Sequence, residues 1–148
     1  VGVNGGGDMY DWDLDVMVDG EPASAKNQRR IVKINNMPRL IKSKKALEYC
    51  RTFAGQFPRQ ESLFEGDVAL RLDIWYASRR PDLAAQDLIM DLLQDLAYKN
   101  DRQVKAVMSV WNLDRDRPRV RIRLRRILVE SSSGLSSYRH SEIWGKDL

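Results

Sequence analysis

Residues Val68–Trp75 read VALRLDIW, and the alternation within this segment decides the class of fold. Successive side chains of a β-strand point to opposite faces of a sheet. One face here receives only apolar residues, while the other receives a mixture of small, charged and aromatic ones. The segment therefore predicts a half-buried strand. Its apolar face is formed by Val68, Leu70, Leu72 and Ile74.

After this strand the apolar residues recur at the spacing of a helix. Arg79-Arg80-Pro81 ends the strand, and Leu83–Leu96 has one apolar face, which indicates an amphipathic helix. Upstream, Ser43 is a candidate N-cap for another helix, which ends before Pro58. The other predicted segments are strands at Leu14–Val18, Ile31–Ile34, Arg39–Ile41, Val104–Leu113 and Val120–Ile127, and a loop over Glu21–Arg30. This order predicts an α/β or α+β fold, a mixed sheet with two main helices in a single layered domain.

The length and composition fit one globular domain. The 148 residues are 43% hydrophobic and 31% charged, which excludes wholesale disorder and a disulfide scaffold. No apolar run approaches the ~18 residues of a membrane span, and no secretory signal is visible. The single cysteine fits a reducing compartment, so a cytoplasmic protein without membrane contact is expected. The predicted organisation is a disordered arm or cloning remnant at 1–12, a domain at 13–129 and a flexible tail at 130–148.

The charges are segregated along the chain. Residues 26–51 hold nine basic side chains and one acid, and residues 115–126 hold seven arginines, although the net charge is only +4. The intervening segment contains the acids Asp82, Asp87, Asp91, Asp95 and Asp101. Two basic segments around a group of carboxylates are typical of a surface that binds a polyanion beside a metal site. Charged solvent faces at opposite ends of an ordinary domain explain the same pattern.

Several motifs in one order resemble the RusA family of Holliday junction resolvases. The resemblance begins at Arg80-Pro81-Asp82-Leu83, continues through Asp91, and ends at Asn100-Asp101-Arg102-Gln103-Val104. Gly20-Glu21-Pro22, Lys26-Asn27 and the segment from Ser43 to Tyr49 are similar to phage-borne members. Each motif is moderately specific, while their order and spacing over roughly residues 13–127 are much more so.

One position departs from the family pattern. The family has a second acid two residues after the first, where this chain has Ala84. The lysine that the family carries one turn later is also missing. Either the chain builds its site from other acids, or the loss of the acid at Ala84 makes it a junction-binding protein that does not cleave.

The resemblance implies a Mg²⁺-dependent endonuclease, with Mn²⁺ as a substitute, that acts as a homodimer on four-way DNA junctions. It implies a role in recombination, repair or phage DNA processing in a bacterium or phage-infected cell. Asp82 and Asp101 are the candidate metal ligands, because Mg²⁺ binds through a few carboxylates and keeps several waters. Asp87 or Asp73 could take the place of the acid missing at Ala84, and Asp91 could brace the site.

Each of these acids also has a structural interpretation. Asp82 follows a proline and could be the N-cap of the next helix. Asp87 and Asp91 could belong to a solvated helix face, and Asp101 could be a turn residue after Asn100.

The basic residues are candidates for phosphate contact, which would make DNA binding fall steeply with salt. The candidates are Lys26, Arg29 and Arg30 in the predicted loop, Lys42, Lys44 and Lys45 around a helix N-terminus, and Lys99 near the scissile phosphate. The arginines of the last strand could also touch DNA, or could protect an edge strand by charge. A third hypothesis, beside cleavage and junction binding without cleavage, is a basic interaction module with no preference for junctions.

Overall fold

The computed structural model describes residues 12–24, 29–128 and 137–145. Lys26 lies outside these residues. The elements in chain order are β1 (Leu14–Asp19), β2 (Arg29–Ile34), β3 (Met37–Lys42), α1 (Lys44–Gln56), β4 (Val68–Tyr76), α2 (Gln86–Leu92), β5 (Val104–Leu113), β6 (Arg119–Arg126) and α3 (His140–Trp144). No helix in these three ranges is both long and apolar enough to cross a membrane.

Four of the strands form one mixed sheet in the order β1-β6-β4-β5. Only β4 and β5 run parallel, joined by the crossover that contains α2, whereas β6 is antiparallel to both β1 and β4. Strands β2 and β3 form a separate hairpin. The prediction of a mixed-sheet α+β domain is confirmed, with three helices described where two main ones were predicted.

The main core lies between one face of this sheet and the helices α1 and α2. The alternation in β4 places Leu70, Leu72 and Ile74 on this face, all fully buried. Helix α1 contributes Phe53, and α2 contributes Ile89, both also fully buried. Strand β4 is central because it pairs on both sides, which is why its apolar face is so strictly apolar.

The opposite face of the sheet is covered at one end by α3. Ile143 and Trp144 of this helix pack with Trp12 and Ala69 in a second, smaller core. This helix lies inside residues 130–148, where the sequence predicts a flexible tail. Its five residues are too few to hold a helix alone, so the apolar contact with the sheet stabilises it.

Helix α2 is shorter than the sequence predicts. It begins at Gln86 rather than near Leu83, and it ends at Leu92 because the chain turns over the next residues. Asp95 has a φ of 66°, which no helix contains. Tyr98 closes this turn, since its hydroxyl donates to the Met90 carbonyl at 2.7 Å.

Two local features in this part of the chain are set by neighbouring residues. The hydroxyl of Ser43 accepts the Ala46 N–H at 3.2 Å, so Ser43 is the N-cap of α1. The hairpin turns through Asn35 and Asn36, whose φ angles of 52° and 63° are those of a two-residue turn that matches strand twist.

Candidate active site

A cleft of about 670 Å³ lies beside the carboxyl end of β4. Three segments form its walls: the loop after β1, the first turns of α1, and the loop that leads from β4 to α2. The lining residues are Gly20, Glu21, Pro22, Ala23, Ser24, Lys45, Glu48, Tyr49, Thr52, Arg80, Pro81 and Asp82. The cleft therefore combines carboxylates with basic side chains from separate parts of the sequence.

Two aromatic residues hold the loop that carries Asp82. Tyr76, at the end of β4, stacks on Trp111 of β5 with ring centroids 5.8 Å apart. The Trp111 indole donates to the Pro81 carbonyl at 3.0 Å, and the Tyr76 hydroxyl donates to the Asp82 carbonyl at 3.2 Å. The backbone of Asp82 is thereby fixed against the sheet. Both aromatics therefore have a structural role in this loop.

The side chain of Asp82 is exposed and does not cap α2. The helix starts four residues later, its N-cap is Ala85, and no side chain caps it. The structural interpretation of Asp82 as an N-cap is therefore wrong. A carboxylate fixed at the backbone and facing solvent at a cleft is available for a cation or a ligand.

Glu21 lies in the same cleft, although no sequence pattern predicts a role for its side chain. Its Oε1 accepts the N–H of Ala77 at 2.8 Å, which ties the loop after β1 to the end of β4. Burial, then the charges of Glu21 and Asp82, raise the pKa of Tyr76 to about 12. Both carboxylates thus lie near one hydroxyl. The only sequence signal for Glu21 is its place inside the Gly20-Glu21-Pro22 motif.

Basic groups surround these carboxylates. Lys45 and Arg80 line the cleft, and Lys44 and Arg79 are exposed next to them. Because Ser43 uses its hydroxyl on one N–H, other N–H groups of the first turn of α1 remain directed outward, which favours an anion. The predicted grouping of Lys44 and Lys45 around a helix N-terminus matches their observed position, while DNA contact itself stays a prediction.

Asp101 lies at the far end of the sheet from Asp82. It opens a 3₁₀ turn that leads into β5, and its N–H donates to the side chain of Gln94 at 3.3 Å. Pro81, the neighbour of Asp82, instead contacts Trp111 near the other end of β5. Val104 and Trp111 lie about 23 Å apart at roughly 3.3 Å of rise per strand residue. One chain therefore does not bring Asp82 and Asp101 to a single ion, although the sequence predicts them as joint ligands.

Gln103 holds the turn at Asp101, a role that its position in the sequence does not predict. Gln103 donates to the carbonyls of Phe64 and Gly66 at 2.8 and 2.9 Å. Its side-chain oxygen accepts the N–H groups of Lys99 and Asn100, both at 3.1 Å. This glutamine therefore fixes the start of β5 against the loop before β4. The Asn100–Val104 motif thus has a structural role.

The other predicted acids are distributed over different surfaces. Asp87 is exposed in the first turn of α2, and Asp91 is half-buried on that helix. Burial, then the charges of Asp101 and Asp91, raise the pKa of Tyr98, so both acids lie within electrostatic reach of this tyrosine. Asp73 cannot substitute for the acid missing at Ala84, because it points to the opposite face of the sheet. Within the described parts of the chain, no three His, Cys, Asp or Glu side chains form a group able to hold a metal.

The predicted basic candidates fall into two groups. The β2–β3 register places Arg29 opposite Lys42 and Arg30 next in line, at the end of the hairpin that leads into α1. Lys99 lies elsewhere, at the Asp101 end, where its ammonium pairs with Asp95 at 3.1 Å on the surface.

The arginines of β6 are paired with acids of the same face. Arg121 binds the carboxylate of Asp15 through two hydrogen bonds of 2.9 and 2.6 Å. Arg123, which is 7% exposed, donates to Asp73 at 2.7 Å. These charges are compensated inside the protein, which leaves little positive potential for a polyanion.

At the start of β6 the same compensation continues. Arg119 donates to Asp114 at 2.7 Å, and its guanidinium also lies 4.2 Å from the ring centre of Trp75. The hydrogen bond from Arg119, aided by the N–H groups of Asp116 and Arg117, holds the pKa of Asp114 below its ordinary value.

The chain matches one protein-family model. The model, described as Endodeoxyribonuclease RusA, matches residues 19–125, which is most of the chain. The matched region starts just before the Glu21 loop and includes both Asp82 and Asp101. No curated protein matches the chain.

Proposed function

The chain belongs to the RusA endodeoxyribonuclease family, and from this premise we propose that it cleaves four-way DNA junctions by paired, divalent-metal-dependent nicks. The observation that carries the proposal is the cleft itself. It presents the carboxylate of Asp82, which faces solvent and caps no helix, together with Lys45 and Arg80. A nuclease needs this combination, since basic groups bind the phosphates while a carboxylate holds the metal beside them.

The donors in the cleft fit Mg²⁺ or Mn²⁺. Carboxylate oxygens are hard ligands, and Mg²⁺ commonly uses only one or two of them together with waters and substrate phosphates. When bound, the metal supplies an activated water and neutralises charge on the phosphate. Asp82 would hold the metal, and Lys45 and Arg80 would position the phosphate on either side. The exposed first turn of α1 would add N–H donors for the same strand of DNA.

A second copy of the chain would complete this site. Strand β5 is the outer strand of the sheet, and its outer edge pairs with no strand among residues 12–24, 29–128 and 137–145. Its sequence, VKAVMSVWNL, is apolar on both faces and has one charge, Lys105, near its start. A long apolar edge of this kind favours pairing with another strand. We therefore place the homodimer contact at β5.

Pairing of β5 with its symmetry mate in one continuous sheet would be antiparallel, because a two-fold axis perpendicular to the sheet reverses the strand direction. The start of one β5 would then lie beside the end of the other. This arrangement moves Asp101 of one subunit toward the cleft of its partner, and Lys99 moves with it. Asp82 and Asp101, which are far apart within one chain, would thus come together only in the dimer. Two such sites suit a junction with two equivalent strands.

Other residues would extend the DNA surface beyond the cleft. Lys44 continues it along α1, and the β2–β3 register places Arg29 opposite Lys42, with Arg30 next in line, at the end of the hairpin that leads into α1. Lys26, in the sequence just before the hairpin, would join them. Asp87 and Asp91 remain candidates for the Asp101 side of the site. Such a protein would act on recombination, repair or phage DNA in the cytoplasm of a bacterium or a phage-infected cell.

One observation favours an alternative. Ala84 provides no carboxylate, and the described residues include no cluster of three metal-binding side chains. A protein that binds junctions without cleaving them would have this appearance.

Nicking of a labelled four-way junction in Mg²⁺ separates these functions. We expect the wild type to nick the junction and to leave linear duplex of the same length intact. Asp82→Asn should bind the junction but not nick it. If only Ala84→Asp nicks, the chain is the non-cleaving binder. Equal affinity for junction and duplex, with no nicking by any variant, would contradict both and favour a basic interaction module.

A further inference from the structure

The position of the missing acid raises the question of what replaces it. Ala84 follows Asp82 in a tight turn, in which its N–H donates to the Asp82 carbonyl at 2.9 Å. A carboxylate here would belong to the same tight turn as Asp82. Since Asp73 is bound to two arginines on the other face of the sheet, a replacement must come from another segment that reaches the cleft.

Glu21 reaches the cleft from such a segment. It lies 61 positions before Asp82 in the sequence, yet both line the same cavity. The Ala77 N–H fixes one of its oxygens at 2.8 Å. The second oxygen makes no hydrogen bond to any residue that the structure describes, and Glu21 forms no ion pair with them. A carboxylate held at one oxygen and open at the other has the arrangement of a metal ligand with a supporting hydrogen bond.

A second observation in the cleft points to a ligand. Tyr49 lines the cavity and is only 5% exposed, but its hydroxyl has no hydrogen-bond partner among the described residues. Buried hydroxyls are nearly always satisfied, by protein or by ordered water. An unsatisfied hydroxyl in the wall of a charged cleft therefore points to a ligand, or a water held by one, that accepts its hydrogen bond.

We propose that Glu21 supplies the second carboxylate of the metal site, in place of the acid that Ala84 lacks. This inference rests on the proposed nuclease function. Asp82 and Glu21 come from different segments, line the same cleft, and both act on the pKa of Tyr76, so both are placed to offer oxygen to a hard cation there. One or two carboxylates suffice for Mg²⁺ when waters and phosphate complete the shell. The site is then active without an acid at position 84.

The test is titration of the folded chain with Mn²⁺ by calorimetry, without DNA, alongside nicking of the junction. The variants are Glu21→Gln, which keeps the acceptor for Ala77, Asp82→Asn, and the exposed control Glu61→Gln. Loss of even an outer-shell partner costs roughly 10–100-fold in metal affinity, so Glu21→Gln should weaken Mn²⁺ binding by about tenfold or more. Glu61→Gln should bind as the wild type does. In the Glu21→Gln background, Ala84→Asp should restore both Mn²⁺ binding and nicking.

The outcomes separate this inference from the nuclease function. If Glu21→Gln binds Mn²⁺ and nicks as the wild type does while Asp82→Asn does neither, the nuclease stands and the role of Glu21 is overturned. If both variants lose Mn²⁺ but no protein nicks, Glu21 is a ligand and the nuclease function fails. Absence of Mn²⁺ binding at millimolar concentration in the wild type overturns the inference. Glu21→Asp, which keeps the charge, should retain more affinity than Glu21→Gln.

Discussion

Two basic regions of this protein look alike in sequence and differ in the structure. The arginine face of β6 is compensated: Arg121 and Arg123 each bind an aspartate on a neighbouring strand. Around the cleft, Lys45 and Arg80 form no ion pair with any described residue, and they face a cavity with Asp82. Only the second region has charge available for DNA. The comparison teaches that the pairing of charges, rather than their number, identifies a phosphate surface.

The largest expected effect is on cleavage, at the cleft. Asp82→Asn should lower the rate of junction nicking by about 10³-fold, because a ligand that places the metal supplies several kcal/mol in the transition state. Folding should be unchanged, since the side chain is exposed and caps no helix. Single-turnover nicking measures the rate, with the exposed Asp116→Asn as the control. A rate within threefold of the wild type corresponds to a change of only about 0.6 kcal/mol in the activation free energy. That result would show that Asp82 does not hold the catalytic metal.

The second effect is on stability, at the arginine face. Asp73→Asn leaves Arg71 and Arg123 without their charged partner in a buried position. Removing one member of a buried ion pair costs about 3–5 kcal/mol. Urea unfolding should show a loss of that size and no such loss for Asp116→Asn. If Asp73→Asn is as stable as the wild type but binds DNA less tightly, this face is a binding surface after all.

The third effect is on the salt dependence of DNA binding, and it compares the two regions directly. Each phosphate contact contributes about 0.9 to the slope of log affinity against log salt concentration. Lys45→Gln and Arg80→Gln should each reduce the magnitude of this slope by about 0.9, the contribution of one phosphate contact. Arg119→Gln and Arg121→Gln should leave it unchanged, because these arginines already bind acids. Fluorescence anisotropy in Ca²⁺ measures the slopes, and the reverse pattern would exchange the roles of the regions.

The smallest effect is on the pH dependence of stability, which has opposite signs in the two regions. Burial raises the pKa of Tyr49 above its ordinary value of 10.0. Its contribution to stability is therefore complete below pH 10 and is lost as the pH rises, since the unfolded tyrosine ionises first. Asp114 has a lowered pKa, so its contribution is present above its ordinary pKa and is lost as the pH falls.

Denaturant unfolding at several pH values tests this pair of signs. Tyr49→Phe should reduce the loss of stability above pH 10, and Asp114→Asn should reduce the loss in acid. If Tyr49→Phe loses stability above pH 10 as steeply as the wild type does, Tyr49 does not cause that loss. The same holds for Asp114→Asn in acid.

The sequence predicts the strands well, because their apolar alternation is a local property. Strand β5 has its predicted bounds, and Ser43 caps α1 as expected. The same alternation also separates Asp73 from Leu72 across the sheet, which already excludes Asp73 from the cleft. The sequence does not predict features that depend on contacts between residues far apart in the chain. The short helix α3 depends on Ile143 and Trp144 meeting the sheet, which no local pattern in a serine-rich segment indicates.

The candidate site shows the same limit. The motif around Asp82 predicts a functional acid, and the structure removes its alternative role as a cap. Neither the opposite-end position of Asp101 nor the hydrogen bond between Glu21 and Ala77 could be predicted, because both depend on how strands pair. The family resemblance predicts Asp82 and Asp101 as joint metal ligands, whereas the parallel register of β4 and β5 places them apart within one chain.

Mixing two inactive variants tests the central claim most directly. Asp82→Asn and Asp101→Asn proteins, each unable to nick alone, are mixed, unfolded and refolded together so that subunits exchange. If Asp101 serves the cleft of the partner subunit, each mixed dimer has one intact site, and the mixture should regain single nicks at about a quarter of the wild-type site number. If each site lies within one subunit, both sites of a mixed dimer are broken. A mixture as inactive as its parents, with exchange verified by tags, would contradict the shared site.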